Sequence, residues 1–158
     1  MQGNEKVIEQ LNAALSSELT YIVQYITQAE MCNNWGYARL GDVTKARAVE
    51  EMRHVKGLIE RIVFLGGTPR VDVPLLPKIG PTVQQQLEFD LQGEHESVVQ
   101  YNNAVKICIE SADEGSRELF TQMTLVEERH VDCLEAQLHS IKEMGIANYL
   151  SEQLKADN

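Results

Sequence analysis

The chain has 158 residues, 43% of them hydrophobic and 24% charged. That is enough for one domain with a real core, and no apolar run reaches the roughly 18 residues that span a bilayer. The formal net charge of −10 argues against nucleic acid as a partner and is compatible with drawing cations toward the protein. The N-terminus has no signal-peptide pattern, so the expected compartment is the cytoplasm and no membrane partner is expected. Cys32, Cys108 and Cys133 are odd in number and widely spaced. They fit neither a disulfide framework nor a zinc site, so reduced, mostly buried thiols are expected.

Taken in order, residues 5–34 read as a first helix, with Asn33, Asn34 and Gly36 punctuating its end. Residues 36–65 read as a second, stopped by Gly66-Gly67-Thr68-Pro69. So short a connection makes the two antiparallel neighbours. Residues 66–81 hold Pro69, Pro74, Pro77 and Pro81 and form the one long loop. A helix of ~30 residues is ~45 Å long, and an extended loop of this size can span it at ~3.3 Å per residue. The loop is therefore a crossover along a bundle. Thr82 and Gln85 form a capping box for a third helix, 82–112. Asp113, Gly115 and Ser116 mark the next turn, and a fourth helix, 115–144, stops at Gly145. Residues 146–155 form a short fifth helix. The fold class is all-α, a four-helix bundle with a long crossover between its second and third helices, and residues 1–158 are one domain.

The chemistry lies in charges that interrupt apolar stripes. At 3.6 residues per turn, Phe120, Met123, Glu127, His130, Leu134 and Ile141 share one face. Glu51 and His54 repeat the Glu-x-x-His phrase on the stripe of Val55, Leu58, Ile62 and Leu65. Glu18 breaks the stripe Ile8, Leu11, Leu15, Ile22, Tyr25. Glu94 breaks Leu87, Leu91, Val98, Tyr101, Val105. All recur at an offset of 76 (94 − 18, 127 − 51, 130 − 54). A hydrogen-bonded core histidine explains one such phrase. Six positions with internal twofold symmetry instead match a di-metal carboxylate site: a Glu from each of two helices and a Glu-x-x-His from each of the other two.

These residues, with Asn34-Trp35-Gly36, Ile59-Glu60-Arg61-Ile62 and the stretch from Met144-Gly145 to Asn148-Tyr149-Leu150, carry a resemblance to the bacterioferritins over essentially the whole length. The resemblance implies a ferritin-like bundle that assembles into hollow shells of 24 subunits built from twofold dimers. It implies Fe(II) oxidation by O2 or H2O2 at a di-iron centre and storage of ferric mineral. Glu51 and Glu127 would bridge, Glu18 and Glu94 would be terminal, and His54 and His130 would each bind one iron. A redox-active aromatic role carries over to Tyr25. Haem b would sit between paired subunits with Met52 as axial ligand, in a slot walled by Leu19, Ile22, Val23, Ile26 and Val49 and flanked by Lys45 and Arg53. The off-stripe apolar residues Leu19, Val23, Ile26, Val49, Met52 and Ile59 mark the expected dimer seam. A small ferredoxin for iron release and a second ferritin-type subunit are further partners the resemblance suggests.

The sequence departs from the family in places. Ala46 and Glu50, with Arg47 near by, stand where many bacterioferritins place extra iron ligands on the inner wall, and Cys133 stands where an aromatic often follows the second motif. Asn34 and Asp132 match channel-lining residues. Rival readings are a rubrerythrin-like peroxidase or manganese catalase, and a haem-bearing storage subunit with an idle di-metal site. The first usually carries a Cys-x-x-Cys module, absent here. The last should have lost ligands, and none is lost.

Overall fold

Asn4 lies in extended backbone, and its side chain accepts from the Lys6 N–H at 2.8 Å. That satisfies a donor which the first turn leaves free. From this cap helix α1 runs Glu5–Asn34, the span expected. A computed structural model describes residues 1–71 and 76–154. It continues with α2 (Ala38–Phe64), α3 (Val83–Glu110), α4 (Glu114–Met144) and α5 (Ile146–Ser151). Among the described residues there is no strand, and no helix is long and apolar enough to cross a membrane.

The helix ends differ from expectation where the backbone turns left-handed. Gly36 has φ +91°, a conformation glycine adopts at no steric cost, so α2 restarts at Ala38 rather than at 36. Ala112 has φ +51°, and α3 accordingly stops at Glu110. Thr82 caps α3 by accepting from the Gln85 N–H, but the Gln85 side chain meets the Thr82 hydroxyl rather than its backbone, so the box is only half formed. Gly145 at φ +79° ends α4 as expected. The fifth helix ends at Ser151, before the expected 155, which lies outside the described residues, as does Pro74 of the crossover.

The crossover is laid along α1 by amide side chains. Asn12 donates to the Thr68 carbonyl and accepts from the Arg70 N–H. Gln24 accepts from the Lys78 N–H at 2.8 Å, and Gln28 donates to the Lys78 carbonyl. These contacts satisfy backbone groups that a loop cannot pair internally. α1 packs on α2, α3 on α4, and α1 on α3.

The core has two apolar ends. One holds Val7, Leu11, Leu58, Ile62 and Phe120, and the other Cys32, Leu40, Leu87, Leu134 and Ile141. Each large aliphatic buried there contributes roughly 1.5–3 kcal/mol. Leu19 and Ile59, read from the sequence as off-core, are partly buried against the first end. Cys32 and Cys108 are buried, but Cys133 is exposed. Between the two apolar ends lies a band of buried charge.

Candidate metal centre

Four helices each present their polar positions to this band. Glu18 comes from α1, Glu51 and His54 from α2, Glu94 from α3, and Glu127 and His130 from α4. None is more than 9% exposed. All six residues predicted as ligands therefore meet in one place. They form two groups, Glu18/Glu51/His54/Glu127 and Glu51/Glu94/Glu127/His130, whose ligand atoms lie within 4.8 Å of one another. Two carboxylates are common to both groups.

The oxygens divide accordingly. His54 Nδ1 is 2.9 Å from Glu51 Oε2, 3.2 Å from Glu127 Oε1 and 3.5 Å from Glu18 Oε2. His130 Nδ1 is 3.1 Å from Glu127 Oε2, 3.3 Å from Glu94 Oε1 and 3.4 Å from Glu51 Oε1. Glu51 and Glu127 thus each turn one oxygen to either imidazole. One Nδ1 proton cannot serve three acceptors. Glu18 Oε2, both Glu127 oxygens and His130 Nδ1 are buried without a hydrogen-bond partner. Orphaned buried acceptors of this kind are costly, and a cation in each group would satisfy them. Carboxylate and imidazole donors suit iron and similar metals rather than soft ones.

The electrostatics tell the same story. Burial, with the charge of Glu51 adding to it, pushes the Glu18 carboxyl well above the usual range. Burial likewise carries Glu94 up to about 8. Burial pushes Glu51 up too, but the His130 and His54 rings and the Glu18 carboxyl beside it outweigh that and hold this carboxyl low. Burial opposes charge on His54 and His130, yet three carboxylates around each ring raise both to about 12. Protons neutralise a pocket in which four carboxylates converge, and a metal would displace them.

A further layer holds the Glu94 and Glu18 carboxylates. The Tyr25 hydroxyl donates to Glu94 Oε1 at 2.5 Å, and the Tyr101 hydroxyl donates to Glu18 Oε1. Tyr25, the predicted aromatic, is fully buried beside the cluster. Periodicity alone places Tyr101 in the core, although its offset from Tyr25 is again 76 (101 − 25). That repeat was the available signal. Glu50, read as inner wall, has Oε2 2.7 Å from His130 Nε2, where it accepts the N–H of the tautomer protonated there. Arg47, read as lying near it, is buried. Its guanidinium lies 5.4 Å over the Tyr25 ring and 3.7 Å from Asp90, whose other oxygen accepts from Gln24 at 2.8 Å.

Met52 lies apart from this site. It is 54% exposed on the outer face of α2, beside exposed Val49, and Val23 and Ile26 of α1 are exposed as well. Ile22 and Leu19 are half-buried, and Lys45 and Arg53 are exposed.

A ferritin-like domain model matches residues 8–144. The bacterioferritin of Mycolicibacterium paratuberculosis is 37% identical over 152 residues, 96% of each chain. That of Brucella melitensis is 38% identical, covering 94% of this chain and 92% of its own. That of Rhodobacter capsulatus is 39% identical, covering 92% and 90%. With the fold and the symmetric ligand cluster, these similarities mean that the chain belongs to the bacterioferritins, an iron-storing family of ferritin-like proteins.

Proposed function

We propose that the chain is a ferroxidase, which oxidises Fe(II) at the paired ligand groups with O2 or H2O2 and passes Fe(III) to a mineral store. The observation that carries this reading is the division of oxygens at Glu51 and Glu127. Each offers one oxygen to either group, which suits a bridge between two ions. Glu18 and Glu94 close the two ends, and His54 and His130 supply one nitrogen each. Paired iron at such a site supplies two electrons to one oxidant molecule. The protein's part is to hold four carboxylates against their repulsion. Tyr101 and Tyr25 fix the terminal carboxylates, and Glu50 holds the outer nitrogen of His130, an arrangement that orients a ligand ring. The test is stopped-flow Fe(II) oxidation by Glu18→Ala and His130→Ala. Both should lose most of the fast phase, and wild-type rates in both would refute the assignment.

The same proposal includes assembly and haem. The exposed apolar strip of Val23, Ile26, Val49 and Met52 supports a twofold dimer, extended to a shell of 24 subunits. A twofold axis at this strip brings Met52 to its own copy, and two thioethers can take both axial positions of haem b. Lys45 and Arg53 would meet its propionates. Haem-supplemented protein should show a Soret band and low-spin six-coordinate iron. The band should change in Met52→Leu; an unchanged spectrum removes Met52 as the ligand. A cytoplasmic location, a small ferredoxin as donor for iron release and co-assembly with a second ferritin-type subunit complete the proposal.

A further inference from the structure

The ligand set obeys its twofold repeat, but the surroundings of the two phenols do not. Two ferrous ions give two electrons, which takes O2 to the peroxide level. Reduction through to water takes two more, and an oxidisable side chain beside the centre can supply them one at a time if it is re-reduced between the two; Tyr25 and Tyr101 both touch carboxylates of the cluster. Tyr101 is a dead end. It packs on Phe120 with ring centroids 5.9 Å apart, within the apolar core that includes Met123 and Ala14. Phe is far harder to oxidise than Tyr, and Met123 is sealed in the same core.

At the matching positions around Tyr25 (44, 47 and 90, each 76 from 120, 123 and 14) stand Thr44, Arg47 and Asp90. The ring that stacks on Tyr25 is Tyr21, with centroids 6.2 Å apart and planes 20° apart. Its repeat position, 97, is Ser97. Tyr21 fits because α3 has Gly93 opposite it; a Cβ there would lie 2.7 Å from the Tyr21 ring. The Tyr21 hydroxyl donates to the Gly93 carbonyl at 3.3 Å. Tyr21 also lines a pocket of about 270 Å³ with Gln24, Lys78, Phe89 and Glu96.

We propose that Tyr21 is a second redox-active residue, which relays an electron from this pocket to Tyr25 and so to the metal centre. The proposal rests on the ferroxidase reading above. Tyr25 gives one electron to the centre, and its phenol proton crosses the hydrogen bond to Glu94. Arg47 over the ring opposes a cationic radical, so electron and proton leave together. Tyr21 then reduces the Tyr25 radical, which takes its proton back. The Tyr21 proton leaves to the pocket lined by Glu96, and the radical now sits where a solute can reach it. A ferrous ion there restores Tyr21 by giving one electron, with one proton taken from solvent: Fe(II), tyrosyl radical and H⁺ become Fe(III) and tyrosine. Electron transfer falls steeply with distance, and two stacked rings shorten each step.

The test is freeze-quench electron paramagnetic resonance after Fe(II)-loaded protein meets O2, with Fe(II) in excess. Wild type, Tyr21→Phe and Tyr25→Phe are compared, in protein with ring-deuterated tyrosine where the radical must be recognised as tyrosyl. Phe keeps the stack and the ring's packing on Gly93, and loses the hydroxyl with its bond to the Gly93 carbonyl. In Tyr21→Phe the tyrosyl radical should live at least about tenfold longer, because its route to external Fe(II) is cut. In Tyr25→Phe the signal should fall at least about tenfold. Equal lifetimes in wild type and Tyr21→Phe, with Fe(II) still oxidised, would overturn the relay alone. A wild type that oxidises no Fe(II) overturns the ferroxidase reading, and the relay with it.

Discussion

Replacing Arg47 by Met removes a buried cation and keeps most of its volume. Burial pushes the Asp90 carboxyl up to about 6, and Arg47 is the chief influence holding it down. Without Arg47 the carboxyl rises further, so it stays neutral over a range where the wild type ionises. A carboxyl raised by folding contributes stability below its unfolded pKa of ~3.9 that is lost as pH rises to the folded value. In the wild type that loss ends at about pH 6; in the variant it continues. One pH unit corresponds to ~1.4 kcal/mol. The penalty of Arg47→Met should therefore be flat below about pH 6 and grow above it at up to ~1.4 kcal/mol per pH unit, reaching at most ~2 kcal/mol by about pH 7.5. For a chain of this size that is an extra ~4–8 °C of Tm depression. Calorimetry of wild type, Arg47→Met, Asp90→Asn and the double variant at both pH values checks it. In the Asp90→Asn background the growth should vanish, which separates this pair from titrations at the metal site. A penalty equal at both pH values in the Asp90 background would show that the pair does not control this titration.

Loading the centre with a divalent ion near neutral pH should release protons. His54 and His130, raised to about 12, and Glu94, raised to about 8, must give theirs up to bind. Titration calorimetry in buffers of different ionisation enthalpy measures the count; buffer-independent heat would contradict it. Affinity should accordingly weaken as pH falls. Glu50→Ala should weaken metal binding ~10- to 100-fold, by freeing the outer nitrogen of His130; unchanged affinity would mean that Glu50 does not orient the ring. Asp113→Ala removes both the α4 cap to the Ser116 N–H and the Arg61 ion pair at 2.5 Å, and should cost ~1–3 kcal/mol. The burial of Asp113 opposes its charge, but the Ser116 and Arg61 contacts hold its carboxyl low. Its contribution is therefore present above the unfolded pKa of ~3.9 and lost as pH falls through the folded value. Unfolding curves should show the difference from wild type shrinking in acid.

The six proposed ligands were legible because each is a charge on an otherwise apolar stripe, and because all recur at one offset. The two cues do not coincide at the residues around them. Tyr101 keeps the offset but belongs on an apolar stripe by its ring, so periodicity assigns it to the core; only its hydroxyl has another use. Arg47 is a long side chain on a face between core and surface. Which way it turns depends on Asp90, 43 residues away (90 − 47) and on another helix. Glu50 follows the opposite path: its position beside Glu51 is plain, but its hold on His130 crosses from α2 to α4. The helix ends at Gly36 and Ala112 shifted by two residues because left-handed backbone sets them, and an alanine gives no warning of it.

The two halves of the bundle share a proposed ligand set, so the differences between them carry information that the set does not. A duplicated scaffold needs the same carboxylates and phenols on both sides to hold two ions. It does not need the same second layer. On one side the repeat positions are Ala14, Phe120 and Met123, which seal Tyr101 into the core. On the other they are Asp90, Thr44 and Arg47, all buried and polar. Burying an arginine and an aspartate costs more than burying a methionine and an alanine. Packing alone gives no reason for that expense on one side only. A polar second layer does have a use next to a phenol that stacks toward a surface pocket. It sets the charge felt by Tyr25 while leaving Tyr101 shielded, which makes one of two otherwise equivalent phenols the exit.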